Sequence, residues 1–285
     1  MLLRCGRYTL DLSTPVVMGI LNVTPDSFSD GGRFSNVDAA LAHALRMIEA
    51  GAGIVDIGGE STRPGASAVD EAEEIRRVVP VVAELARRTS VPISVDTSKP
   101  AVIGAAIDAG ASMINDVRAL TEPGALDAVA ASAAAVCLMH MQGEPRSMQH
   151  DPKYVDVVTE VRDFLSDRMQ ACRASGIEAA RIVLDPGIGF GKRLQHNLAL
   201  LAMLPVLDAL GRPILIGVSR KSMFRDLLDR PLEQRLAGGL AVTAASVLAG
   251  AKIMRAHDVA ETVDAIKIAA ALRAAGYSSG ERHGS

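Results

Sequence analysis

Short runs rich in β-branched residues alternate with longer helix-period segments from one end of the chain to the other, and this alternation constrains the fold more than any other feature. Strand-like runs lie at residues 16–21, 54–57, 93–95, 113–114, 135–139, 182–184, 214–218 and 253–254, eight in all. Between them come helical stretches such as 37–50, 70–88, 155–175 and 258–274, the last three charged along one face. Strands separated by helices pair in parallel, because each crossover returns the chain to the same end of the sheet. The pattern therefore predicts an α/β fold, a single (β/α)8 TIM barrel, with an open doubly wound sheet as the structural alternative. The 285 residues suit one such barrel, and nearly half of them are hydrophobic, enough for a sizeable core. No linker or composition shift divides the chain, so residues 1–275 read as one domain and 276–285 as a disordered tail.

Composition narrows the function. The net charge is -3, and the basic pairs Arg76-Arg77 and Arg87-Arg88 sit inside an acidic helical stretch, so no footprint for nucleic acid is visible. Cys5, Cys137 and Cys172 are an odd, widely spaced set that fits neither a disulfide framework nor a metal knuckle and points to a reducing cytoplasm. Arg4, Arg7 and Asp11 interrupt the N-terminal stretch where a signal peptide needs an apolar run. The most apolar segment, 236–251, has sixteen residues and contains Gly238, Gly239 and Thr243. That is too short to span a bilayer, so a buried or subunit-facing helix is expected.

The strand ends carry the chemistry. In order they bear Asn22, the 58–63 segment, Asp96, Asn115, His140, Asp185, the 219–222 turn, and Arg255 with His257. In a barrel the strand ends converge on one face, where βα loops build active sites. Each residue alone has a plainer explanation. Asp96-Thr97-Ser98 before Pro100 reads equally as a helix N-cap, Ser219 and Asp258 as caps, Asp185-Pro186-Gly187 as a turn, His140 as a satisfied structural histidine, and Asn115-Asp116 as a loop cap. Capping does not require a hydrogen-bonding side chain at nearly every strand end, so the joint pattern favours one pocket. The loops at 22–34 and 58–66 are rich in glycine and proline and longer than a tight βα turn needs, as substrate-covering loops often are. The 219–222 turn after the seventh strand, with Arg255 and His257 after the eighth, occupies the usual barrel position for a phosphate. No Walker loop, HExxH or dinucleotide fingerprint is present, so nicotinamide, ATP and zinc chemistry are not indicated.

Several of these segments match known motifs. MGILNVTPDSFSDGG (18–32) and GAGIVDIGGESTRPG (51–65) resemble the two defining motifs of dihydropteroate synthases. SVDT (94–97), INDV (114–117), CLMHMQ (137–142), DPGIGFGK (185–192), SRKS (219–222) and RAHD (255–258) extend the resemblance over residues 16–270. The resemblance implies a homodimeric folate-pathway transferase. Such an enzyme joins p-aminobenzoate to 6-hydroxymethyl-7,8-dihydropterin diphosphate with help from Mg2+, through a pterin-methyl cation-like step, and sulfonamides compete with p-aminobenzoate. It also implies a pterin pocket of Asp96, Asn115, Asp185 and Lys221, and a diphosphate site of Asn22, Thr62, Arg63, Arg255 and His257, with Asn22 also at the metal. Phe190, Lys221 and Ser222 are implied neighbours of p-aminobenzoate, and Asp96, Lys221, Arg255 and His257 the catalytic set. Asp56, in mid-strand, either serves the pterin or orders the barrel floor. Ile188 and Ala256 depart from residues common in the family, an aromatic and a β-branched one, which bears on pocket shape. Two alternatives are a pterin-binding methyltransferase module, against which Arg63, Arg255 and His257 speak, and a silent paralogue that binds without turnover.

Overall fold

The computed structural model describes residues 1–24, 33–60, 69–144 and 147–277. Eight parallel strands form the barrel: β3 (Val16–Asn22), β4 (Ala52–Gly58), β5 (Ile93–Asp96), β6 (Met113–Asp116), β7 (Ala135–Met139), β8 (Ile182–Asp185), β9 (Leu215–Ile216) and β10 (Ile253–Ala256). The sheet runs in the order β8-β7-β6-β5-β4-β3-β10-β9, and a parallel bridge between Leu184 and Ile214 joins its two edges into a ring. All eight strands fall where the sequence predicts them. The open sheet is thereby excluded.

Helices clothe the outside: α1 (Arg33–Glu49), α2 (Glu71–Arg88), α3 (Pro100–Asp108), α4 (Ala125–Ala130), α5 (Val157–Ala174), α6 (Leu194–Ala202), α7 (Leu204–Asp208), α8 (Met223–Leu228), α9 (Leu236–Leu248) and α10 (Val259–Ala274). Two are capped by an aspartate: the Asp70 carboxylate accepts from Glu73 N at 2.7 Å and that of Asp156 from Val158 N at 3.1 Å. Acidic residues in the first turn of α2 and arginines in its last complement the helix dipole. None of the described helices is long and apolar enough to cross a membrane.

Because strand side chains alternate, each strand sends one row into the helix layer and the other into the barrel. The outward row, with Leu21, Val55, Ile114, Leu138 and Leu184, joins the large core beneath the helices. The inward row starts at the floor with Met18, Ile54, Met113, Ala135, Cys137, Val183, Leu215 and Ile253, which form a second apolar cluster. An N-terminal hairpin, β1 (Leu2–Cys5) and β2 (Tyr8–Asp11), plugs this floor by adding Leu3, Cys5 and Leu12, each fully buried. Moving up the same row by twos leads to Asp56, Asp96, Asn115, Asp185 and Arg255. Strand parity thus places the polar residues in one interior layer above an apolar floor.

Candidate active site

The upper layer is an ion cluster built from four strands. Arg255 on β10 donates from Nε to Asp56 Oδ2 at 2.6 Å and from Nη2 to Asp96 Oδ2 at 2.7 Å. Asn115 donates from Nδ2 to the same Asp56 oxygen at 3.1 Å. Asp56 is fully buried, and its Oδ1 has no hydrogen-bond partner among the described residues. Asp56 anchors Arg255 and Asn115 in the layer above the apolar floor, a contact distinct from both roles weighed for it from the sequence. Its parity with Asp96 and Asp185 was the available signal.

Burial sets the charge states. It pushes the Asp96 carboxyl up to about 7, with Arg255 pulling it down and Asp56, Glu74 and Asp116 adding to the rise. Burial likewise brings Asp185 to about 6, against the Gly187 N–H, Lys221, Lys192 and Arg255. Burial and then Arg255 lower the Lys221 ammonium to about 8, Asp185 and Asp96 opposing. Arg255 also loses hydration, but Asp56 and Asp96 outweigh that loss and hold the guanidinium protonated beyond its ordinary value.

Two turns complete the rim. After β8, Asp185 Oδ1 accepts from Gly187 N at 2.7 Å, so this carboxylate is partly neutralised by its own turn. Gly187 has φ +67°, and a Cβ there would lie 1.9 Å from the His140 carbonyl oxygen, which leaves glycine as the residue that fits. After β9, Arg220 adopts a left-handed φ of +61°, strained for a residue with a side chain. The chain reverses there: Arg220 pairs with Asp258 at 2.7 Å, while the Lys221 ammonium lies 3.9 Å from the Phe190 ring centroid. Ser219 Oγ is 3.0 Å from His257 Nδ1. Ser219, Arg220, Arg235, Arg255 and Asp258 share the lining of one depression, so two further arginines border it with Arg255.

The geometry corrects several of the plainer expectations. Lys99, not Asp96, occupies the N-cap position of α3, so Asp96 is free of capping and faces Arg255. Ser219 caps no helix and bonds His257, and Asp258 sits at the N-cap of α10 without a side-chain cap bond. Asn115 and Asp116 part company: Asp116 points outward and accepts from Arg118 N at 2.8 Å and Leu120 N at 2.7 Å, the loop-cap role, while Asn115 points into the barrel and bonds Asp56. His140 is a satisfied histidine, 2.9 Å from Lys192 Nζ and edge-on to Phe164. Asn22 ends β3 beside Gly58, Phe190 is nearly buried, and Ser222 is exposed at the start of α8. Thr62 and Arg63, like the tail from 278 on and most of the 22–34 loop, lie outside the described residues.

Fold and site together define a TIM-barrel enzyme whose mouth pairs buried carboxylates with cations. Comparison with known proteins is specific. The sequence pattern of the family described as pterin binding enzyme matches residues 18–257. Dihydropteroate synthase of Escherichia coli K12 is 53% identical over 260 residues, covering 91% of this chain and 92% of that protein. Among solved structures, the Yersinia pestis dihydropteroate synthase in a sulfonamide drug complex is 55% identical with a TM-score of 0.91, covering 96% of this chain and 100% of the other. The Xanthomonas albilineans dihydropteroate synthase with 4-aminobenzoic acid is 52% identical with a TM-score of 0.90, covering 96% and 98%. The chain belongs to the dihydropteroate synthase family of pterin-binding enzymes.

Proposed function

We propose that this transferase joins p-aminobenzoate to 6-hydroxymethyl-7,8-dihydropterin diphosphate, giving 7,8-dihydropteroate and diphosphate in folate biosynthesis. The observation that carries the proposal is the convergence of Asn115, Asp185 and the Asp56–Arg255–Asp96 bridge in one barrel layer. A pterin presents an amino group beside a ring N–H, and ionised Asp185 can accept from both, while Asn115 both gives and receives. Lys221, against Phe190, closes the side of the pocket where p-aminobenzoate would sit, with Ser222 at its edge.

The arylamine is a weak nucleophile because its lone pair delocalises into the ring, so the C–O bond to diphosphate breaks substantially before the C–N bond forms. Arg255 and His257 take up the charge accumulating on the leaving group, Thr62 and Arg63 adding to that set, and the Asp96 carboxylate stabilises the pterin-methyl cation. Once the C–N bond has formed, the anilinium is acidic enough to release its proton to water or to the departing diphosphate, and no dedicated base is required.

Among the described residues no group of three His, Cys, Asp or Glu side chains could hold a metal. A single amide oxygen, that of Asn22, suits Mg2+, which keeps waters and leans on substrate phosphates rather than on an all-protein cage. When bound there, Mg2+ would neutralise charge on the diphosphate.

The deciding assay measures diphosphate release with both substrates and with p-aminobenzoate left out. Diphosphate and dihydropteroate in equal amounts are expected from the complete mixture. A methyltransferase module would release none, and a silent paralogue would bind the pterin without release. Lys221→Ala is expected to raise KM for both substrates by about tenfold, from the loss of its contact with Phe190 and its charge beside Asp185. A fall in thermal stability with unchanged kinetics would remove Lys221 from the pocket.

We also propose a homodimer in the cytoplasm. The three cysteines are buried and unpaired, as a reducing compartment permits. Leu228, Leu232 and Leu236, 37 to 45% exposed at the α8–α9 junction, together with Ile268 and Leu272, 64% and 46% exposed on α10, leave an apolar surface across helices that pack on each other. Leu236 belongs to the 236–251 segment expected to be buried or to face a subunit. Light scattering is expected to give twice the chain mass, and Ile268→Glu to halve it; a monomeric wild type would refute the interface.

A further inference from the structure

We infer that Lys192 is a positioning residue for the p-aminobenzoate side of the pocket, acting through the backbone of Phe190; this rests on the functional proposal above. The turn that follows β8 packs its backbone directly on the end of β7. A Cβ on Gly191, at φ +60°, would lie 2.3 Å from the Gln142 carbonyl oxygen, as one on Gly187 would strike that of His140. At such distances no side chain can lie between the two segments, and the contact has to be held by polar groups at its margins.

Four carbonyls of the turn each have their own tie. Gly187 O accepts from Phe190 N at 3.0 Å, Gly189 O from Gln149, and Gly191 O from the Tyr154 hydroxyl at 2.8 Å. Phe190 O accepts from Lys192 Nζ at 3.0 Å. The same nitrogen reaches His140 O at 3.3 Å and His140 Nδ1 at 2.9 Å, so one side chain, 3% exposed, joins the end of β7 to the residue that carries the Phe190 ring.

The tie does not depend on charge. Burial draws the Lys192 ammonium down to about 7, Asp185 opposing, and burial with Lys192 beside it keeps His140 neutral, down to about 3. An ammonium can donate to both carbonyls and to Nδ1; a neutral amine donates to the two carbonyls and accepts from an Nδ1–H tautomer. Either way Phe190 stays where its ring meets Lys221. Lys192 touches no proposed substrate atom; its effect on p-aminobenzoate passes through Phe190, while its charge near Asp185 bears on the pterin side.

The test is a double-mutant cycle on steady-state kinetics with both substrates. Lys192→Met is expected to raise KM for p-aminobenzoate about tenfold and to change kcat by less than threefold. Phe190→Ala is expected to raise the same KM, and the double variant to match Phe190→Ala, because a displaced ring and an absent ring are equivalent. Multiplying effects, or an unchanged KM with only a lower Tm, would overturn the inference. Should Lys192→Met not fold, Lys192→Gln, which keeps an N–H donor, carries the same cycle, with matching effects supporting the inference and multiplying effects overturning it. A wild-type protein that releases no diphosphate would instead sink the functional proposal, and the two failures are separable.

Discussion

Arg255→Met is expected to lower turnover by about 100- to 1,000-fold, the range seen when one donor to developing negative charge is removed. The same variant should lose about 3 to 5 kcal/mol of stability, the usual consequence of stranding a buried ionic partner. Both effects come from one residue: its guanidinium bonds the fully buried Asp56 and also Asp96, and Arg255 shares the lining of a depression with Arg220 and Arg235. The loss of stability should depend on pH, and its sign is fixed. The Asp96 carboxyl already stands near 7, far above its unfolded value, and removing the cation that holds it down raises it further. A carboxyl raised on folding stabilises the fold while protonated and ceases to do so as pH climbs through its folded value. The variant should therefore be least stable relative to wild type above pH 7 and recover towards pH 5. Urea melts at both pH values, beside diphosphate release, check this. A small loss independent of pH would mean that Arg255 is not the counter-ion of the layer. Arg255→Lys should recover part of the stability and little of the turnover, since a lysine lacks the planar guanidinium that presents Nε to Asp56 and Nη2 to Asp96 together.

The barrel was legible because its signal repeats. Eight short apolar runs spaced by helices leave few topologies, and strand parity then sends Asp96, Asn115, Asp185 and Arg255 inward together. The N-terminal hairpin escaped notice for the opposite reason: strands of four residues with a Gly6 turn offer too little alternation to stand out, and the hairpin is fixed by the floor it plugs. Asp96 and Ser219 looked like caps because cap chemistry and site chemistry use the same short polar side chains; only the direction of the side chain separates them. Asp56 and Lys192 were harder still. The direction of Lys192 follows from the left-handed Gly191 before it, and the partners of Asp56 come from β6 and β10, distant in sequence. Such contacts belong to the closed barrel rather than to any local pattern.

Asp185→Asn should weaken pterin binding by about 1.5 to 3 kcal/mol, the range for a hydrogen bond to a charged group, which is roughly 10- to 150-fold in affinity. The carboxylate has two oxygens, and Gly187 N takes only a share of Oδ1, so Asp185 retains capacity for the paired donors of a pterin edge. An amide at this position keeps one acceptor and turns two donors towards a substrate edge that also donates, so repulsion adds to the loss of charge. Folding should change little, because Asn can still accept from Gly187 N and carries no charge to bury. Titration calorimetry with the pterin isolates the effect from catalysis. In the wild type the affinity should fall as pH drops through about 6, where Asp185 takes up a proton and surrenders an acceptor. In Asp185→Asn that acid limb should flatten, since the titrating group is gone. An affinity equal to wild type, with the acid limb intact, would place the pterin elsewhere in the barrel and leave Asp185 as a turn residue that holds Gly187.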